Sequence, residues 1–508
     1  MGVIIRQSIK GTITNYVGVA IGFVTTFFVL TRFLTAEEIG LTRVLIDTAA
    51  LLSALAQLGT SSSIVRYYPY FRDKKGESTG DHGFFFWTLV VPLVGFAIIA
   101  TLYIALREPI QQAFAAKSPL FVDYYYAVLP LAFFMLYMGV FESNASVLMR
   151  ITVTKFSREV LVRILALCDY LLYAFGVLNL QWFVYCFCGI YGIATVVNVA
   201  YVFSLKKVSL KPDFKHISRQ LRNDYLLYTL FLVASAFASA ATPVVSTFFI
   251  SAQQGLAFTG VFAIATYIAA VIEIPYRSLG AIALPQLSQT LKDGDTAGAN
   301  ALCKKVSLHQ FVVGMFIFFV IWINIDLLFR LLPNGEQYAV AKWVVFILGI
   351  TKLINSSLSV GTSVLNYSKF YYFSLIFAAL QTALSIIFNN FLIPIWGING
   401  AAAATFFATL LYYATLLVLI GALIKTSPFS VAQLKVVTIF FALFALDAVC
   451  RFAVSHFLPD NLWLQCAEAI ARTILLAALG IFAIYRWQIS DEINSLLERF
   501  LPHLFKKK

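Results

Sequence analysis

The sequence predicts an all-α polytopic membrane protein of about fourteen transmembrane helices, and three observations predict it. Of the 508 residues 60% are hydrophobic and only 12% are charged, with a mean hydropathy of +0.85; a soluble domain is roughly half apolar and a quarter charged. Apolar runs of roughly 20 residues, the length that carries a helix across a bilayer, recur along the whole chain. The runs are continuous, whereas a membrane β-barrel is built from short alternating segments.

The first run, 12–31, follows Arg6 and Lys10 in the manner of a signal peptide. It is too long for one and no small-residue cleavage site follows, so it is expected to stay as the first helix. The second, 41–64, is entered through Glu37 and Glu38, carries Arg43 and Asp47 inside it, and leaves through Arg66. Runs at 84–106, 124–149, 158–179 and 181–204 complete an N-terminal six-helix lobe, 1–205. A basic cytoplasmic linker, 206–224, follows. A second lobe, 225–424, holds runs at 225–250, 256–282, 307–330, 339–363, 370–393 and 397–423. Two additional helices, 432–456 and 463–485, occupy 425–487. The tail, 488–508, places Ile489, Ile493, Leu496, Leu497, Phe500 and Leu504 on one helical face before three lysines, the pattern of an interfacial helix on anionic lipid.

Orientation follows from Lys and Arg in the links. With the N-terminus inside, 26 of the 37 basic residues fall on the cytoplasmic side, 5 on the outer side and the remaining 6 within spans. Both termini are therefore expected in the cytoplasm. The same asymmetry accounts for the net charge of +13 without nucleic acid as a partner. Five of the six cysteines lie in apolar runs and none clusters with histidine, so neither a disulfide framework nor a metal is expected. The five histidines lie in links, tails or span ends, and no nucleophile–base constellation is visible. The chain is read as a non-enzyme.

Six crossings return a chain to its starting side, so the two lobes are expected to share one orientation, related by an axis along the membrane normal. The stretch FVLTRFLTAEEIG, ending at Gly40, resembles FFISAQQGLAFTG, ending at Gly260. Both join a first helix to a second through a short outer loop, and Pro69 and Pro285 are expected to close the second helix of each lobe.

Charge inside an apolar span marks a pathway or a binding surface by default. Five acid–base pairs stand four residues apart: Arg43 with Asp47, Glu159 with Arg163, Glu273 with Arg277, Asp447 with Arg451, and Glu468 with Arg472. That spacing shares a helix face, so self-neutralised structural pairs are the plain reading. Lys352 stands near the middle of its span with no acid four residues away, and needs a partner on another helix, a water-filled cavity or an anionic ligand. Asp169 and Asp326 also lack such partners, though Asp326 is near Arg330.

The opening stretch TRFLTAEEIGL, an apolar helix, then LGTSSSIVRYYP resembles the polysaccharide-biosynthesis flippases. These move undecaprenyl-diphosphate-linked oligosaccharides, such as O-antigen units, across the bacterial cytoplasmic (inner) membrane. They share a superfamily with lipid II flippases and with multidrug and toxin exporters. The resemblance implies two six-helix lobes around a central cavity lined by the first two helices of each, and transport by alternating access. On that reading Arg43, Arg277 and Lys352 form a cationic, substrate-binding ladder for the diphosphate, with Arg43 outermost, Arg277 innermost and Lys352 between. Asp47 and Glu273 act as counter-charges or coupling-ion sites. No G-x-x-x-x-G-K-[ST] nucleotide motif is present, so H+ or Na+ coupling, the membrane potential or consumption of product is expected to supply the energy. No cofactor is expected. A polysaccharide polymerase and assembly proteins are the expected partners beside the lipid-linked oligosaccharide and the bilayer. The alternative is an ion-coupled small-molecule or multidrug exporter of the same fold.

Overall fold

The computed structural model describes residues 3–68, 83–205, 232–234, 236–455 and 461–500, together with Val208, Leu210 and Thr229. Among these residues every regular element is helical, and the chain is a polytopic membrane protein. Eleven helices among them are long and apolar enough to cross a membrane, or up to 12 with the bent pair Leu232–Ala241 and Val245–Gln253. Where they are described, the expected fourteen spans fall on helix, and two further differences in count have physical causes. Phe373–Leu423 is two helices that meet at Gly397, whose φ of 55° and ψ of −135° interrupt the spiral in a region open to glycine alone. The stretch from Thr152 to Ala174 is helical throughout but carries Lys155, Arg158, Glu159, Arg163 and Asp169, too many charges for an ordinary apolar span.

Irregularities sit where helices must approach closely or turn. The first span passes through a π-helical turn at Thr25–Leu30, and the 152–174 span through another at Ser157–Leu161. The two pack on each other at glycines: a Cβ on Gly18 would stand 2.3 Å from the Glu159 carbonyl oxygen, and one on Gly22 would meet the Arg163 guanidinium at 2.8 Å. This is the small-xxx-small approach that lets membrane helices touch through their backbones. The second span breaks after Ala56, where Leu58 (φ 46°) and Gly59 (φ 67°) are left-handed, and resumes as Thr60–Tyr67. Contrary to the expectation from the sequence, Pro285 does not close its helix: Ile274–Lys292 runs through it. Membrane helices tolerate proline because neighbouring groups re-satisfy the freed carbonyl. Pro69 and most of the 206–224 linker lie outside the described residues.

The chain forms two compact units. The first comprises Met1–Ile264, Leu332–Asn334 and Thr382–Ala401; the second comprises Ala265–Leu331, Gly335–Gln381 and Ala402–Lys508. These units are defined by packing, whereas the division at 206–224 is one of internal repetition and remains a proposal. Within the first unit, Phe85, Phe141, Ala145 and Val202 form one buried cluster and Ala56, Leu136 and Val140 another. Within the second, Ile272, Phe318, Phe319, Leu353, Phe440 and Leu476 form the main cluster. A second cluster there gathers Leu287, Val364, Leu416 and Ile420.

The two glycines that end the similar stretches lie back to back in the first unit. A Cβ on Gly40 would stand 1.9 Å from the carbonyl oxygen of Leu256, and a Cβ on Gly260 would stand 1.9 Å from that of Ala36. Each glycine thus faces the carbonyl four residues before the other. Such reciprocity is what a two-fold relation produces where equivalent surfaces meet.

Candidate functional site

The helix that carries Arg43 and Asp47 begins in a capping box. The Glu38 backbone N–H donates to the Thr35 hydroxyl at 3.2 Å, and the Thr35 N–H donates to Glu38 Oε2 at 2.8 Å. Thr-x-x-Glu ahead of an apolar run is the sequence signature of that start. The acidic pair Glu37 and Glu38 is therefore a helix start, and Glu38 also accepts from the Tyr173 hydroxyl. Two turns further on, Arg43 Nε donates to Asp47 Oδ2 at 2.8 Å, as the spacing predicts. The same carboxylate bonds to the hydroxyl of Thr247, which lies in the Val245–Gln253 helix. The Arg43 side chain is 21% exposed and that of Asp47 7%. The base is thus within reach of a ligand, while the acid is shielded behind it.

In the second unit, Lys352 has a partner on another helix. Its Nζ donates to Glu273 Oε2 at 3.1 Å. Asn355 Nδ2 donates to Glu273 Oε1 at 2.7 Å, and the Tyr413 hydroxyl donates to Asn355 Oδ1 at 2.6 Å. The cause is local: Val271–Glu273 tightens into a 3-10 turn just before Pro275. That turn delivers the carboxylate to the Lys342–Tyr367 helix. Lys352 is therefore at the depth of Glu273. Of the three options the sequence leaves open for this lysine, a partner on another helix is the one found. Here again the base is the more accessible partner, 29% exposed against 17%. Arg277 lies in the Ile274–Lys292 helix, one turn beyond Glu273; its side chain is outside the described residues.

The two C-terminal pairs are formed, but not in isolation. Asp447 Oδ2 accepts from Arg451 Nε at 2.8 Å while its Oδ1 accepts from Arg472. Arg472 Nε stands 2.8 Å from Glu468 Oε1 as a charge contact, off the line of its N–H. Arg451 also reaches Asp326 Oδ2 at 3.4 Å, and Asp326 Oδ1 accepts from Lys342 Nζ at 2.6 Å. Both arginines donate to the Ile323 carbonyl. Three acids and three bases thus form one neutral network across helices of the second unit. Glu159 and Arg163 pair at 3.2 Å as the spacing predicts, and Arg163 also donates to the Gly18 carbonyl. Asp169 is buried, and its carboxylate oxygens have no hydrogen-bond partner among the described residues.

Thr247, Asn355 and Tyr413 escape the sequence reading. Asn355 could have been found, because three residues from Lys352 it shares that lysine's helix face. Nothing in the sequence points to Thr247 or Tyr413.

No protein-family model and no curated protein sequence matches the chain. Its fold does match solved structures of transporters. A lipid II flippase, MurJ, in an inward closed conformation is 13% identical with a TM-score of 0.71, over 95% of this chain and 100% of that one. An inward-facing multidrug resistance MATE family transporter of the MOP superfamily is 17% identical with a TM-score of 0.57, over 84% and 100%. A MOP superfamily transporter from Pyrococcus furiosus gives 15% and 0.52, over 84% and 96%. The chain has the fold of these transporters.

Proposed function

We propose that this protein is a flippase for a polyprenyl-diphosphate-linked oligosaccharide, such as an O-antigen or capsule unit, in the bacterial cytoplasmic membrane. It works by alternating access, without chemistry on its cargo, and both its termini are cytoplasmic. The observation that carries the reading is the polarity of the two pairs within the spans. Arg43 and Lys352 are each the accessible partner of a more shielded acid. A ligand that approaches either pair therefore meets positive charge first. A diphosphate needs such groups to offset the loss of its hydration, and arginine can engage it through two parallel hydrogen bonds. The polyprenyl tail stays in lipid. Arg277 belongs to the same proposal by its place one turn beyond Glu273. Asp47 and Glu273 hold the two bases while no cargo is bound, or take part in H+ or Na+ coupling.

Likeness in fold extends over 95% of this chain for the lipid II flippase and 84% for the MATE transporter. The fold is equally consistent with an ion-coupled exporter of small molecules, since the MATE match covers the whole of that chain. A cationic drug would find the bases of both pairs in its way. The test is complementation of surface polysaccharide in a strain that lacks its flippase. A well-expressed triple alanine variant at Arg43, Arg277 and Lys352 should fail to restore polysaccharide. Normal polysaccharide from that variant, at wild-type protein level, refutes the assignment of these residues.

A further inference from the structure

We propose that the crossing of the Ala36–Ala56 and Leu256–Ala270 helices is the outer closure of this transporter, and that Asp47 is the latch through which an anionic cargo opens it. Only the identity of that cargo rests on the flippase reading.

The crossing has the character of a seal. At Gly40 and Gly260 the two backbones touch with no side chain between them: the nearest carbonyl would be 1.9 Å from a Cβ on either. Nothing the size of a water molecule passes there while the contact holds. Further contacts close the same end of these helices. The Ser118 hydroxyl donates to the Ser251 carbonyl at 2.6 Å. Gly255, with φ +102°, has the Lys117 carbonyl 2.8 Å from where a Cβ would stand. This is the end with the turns at Leu34–Thr35 and Gln254–Gly255, which the charge asymmetry assigns to the outside.

Asp47 couples this closure to Arg43. It stands seven residues from Gly40, two helical turns on along the same face. Its carboxylate is shared between Arg43 on its own helix and the Thr247 hydroxyl on the Val245–Gln253 helix, which leads into the crossing through the turn at Gln254–Gly255. Thr247 is itself tied to the closure, because its carbonyl accepts from the Ser251 hydroxyl at 2.7 Å. Asp47 is shielded and Arg43 is accessible, so an anion that enters takes the guanidinium and cannot reach the carboxylate. The carboxylate then keeps only a neutral hydroxyl among the described residues. A buried charge stripped of its counter-charge is strongly unfavourable, and separation of the helices returns water to it. Cargo on Arg43 therefore favours the open state by differential stability. By linkage, opening strengthens the hold on cargo to the same degree.

The experiment reads the closure with a thiol. Ser118→Cys is introduced into the full chain, purified in detergent, and exposed to a bulky maleimide; alkylation at position 118 is followed by mass mapping, so the native cysteines do not interfere. Ser118 is fully buried, and labelling requires opening. Undecaprenyl diphosphate should accelerate labelling tenfold or more. Arg43→Ala should label fast with no ligand, because Asp47 is stranded from the start. Thr247→Val should also label faster without ligand. Asp47→Asn should stay slow with and without ligand, because no charge is left to strand. Slow labelling of ligand-free Arg43→Ala, or a normal response in Asp47→Asn, overturns the latch. If the variants behave as stated while undecaprenyl diphosphate leaves the Ser118→Cys parent unchanged, the latch stands and the diphosphate reading falls.

Discussion

Asparagine at position 447 keeps the shape of the side chain and removes the charge that holds the three-acid, three-base network together. The structure sets the size of the effect. Asp447 and Arg472 are each 9% exposed, a buried pair, and removal of one member of such a pair typically costs about 3–5 kcal/mol. The Arg451 side chain is 36% exposed, and solvent screening holds its share below about 1 kcal/mol. Asparagine can still accept one hydrogen bond, so we take about 3 kcal/mol. For a unit of 150–250 residues each kcal/mol shifts the midpoint by about 2–4 °C, hence a drop of roughly 6–12 °C. Trp322 and Trp343, whose rings are tilted with centroids 5.6 Å apart beside Lys342, supply a fluorescence signal at the network itself, to be followed during heating in detergent. Adding Arg472→Gln to Asp447→Asn should recover part of the loss, with a coupling of about 1–3 kcal/mol. Replacement of Asp447 and Arg451 together should not be neutral, because Arg472 loses its closest acid. An unchanged midpoint in Asp447→Asn, or strict additivity with Arg472→Gln, would refute the network as a cooperative unit.

Other expectations follow from single contacts. Gly18→Leu should lower yield and thermal stability by several kcal/mol, since its Cβ would already overlap the Glu159 carbonyl, while a leucine at Gly189, which has open space around its Cβ, should be tolerated; equal effects would remove the packing argument. The Glu492 carboxyl is held down to about 2 by the Lys305 ammonium at 2.5 Å and the Ser490 hydroxyl. A depressed carboxyl stabilises above its unfolded value, so the share of this carboxyl in holding the Asp491–Phe500 helix should be constant above about pH 4.5 and weaken as pH falls from there toward 2. The pair is half-exposed, so this contribution stays below about 1 kcal/mol; hydrogen exchange across that helix measures it, and weakening on alkalinisation would contradict the sign. Cysteine labelling after Lys215 and after Lys508 should report cytoplasm at both sites, and labelling of either from outside would reverse the topology.

The spans were legible because length and apolarity settle them: the described residues of the expected runs fall on helix. So was the start of the second, whose Thr35 and Glu38 occupy the capping-box positions. The break at Leu58 and Gly59 had a visible cue in the run Gly-Thr-Ser-Ser-Ser, which reads as a turn signal within an apolar stretch. Spacing along one helix found the Arg43–Asp47, Glu159–Arg163, Asp447–Arg451 and Glu468–Arg472 pairs. It could not find partners across helices. That is why Lys352 reads as unpaired until the 3-10 turn at Glu273 is seen, and why two C-terminal pairs turn out to be one network. The reciprocal contact of Gly40 and Gly260 is the converse case: a loose similarity of two stretches becomes a physical relation once each glycine faces the other's helix.

The central claim concerns cargo, and reconstituted vesicles test it most directly. Purified protein is placed in liposomes with a fluorescent undecaprenyl-diphosphate oligosaccharide in one leaflet, and its arrival in the other leaflet is timed by a membrane-impermeant quencher. The wild-type chain should speed translocation many-fold over empty liposomes, and the Arg43→Ala, Arg277→Ala and Lys352→Ala triple variant should return it to the background rate. Translocation no faster than in empty liposomes, from protein that exports a cationic dye in the same vesicles, would contradict the account and favour the exporter.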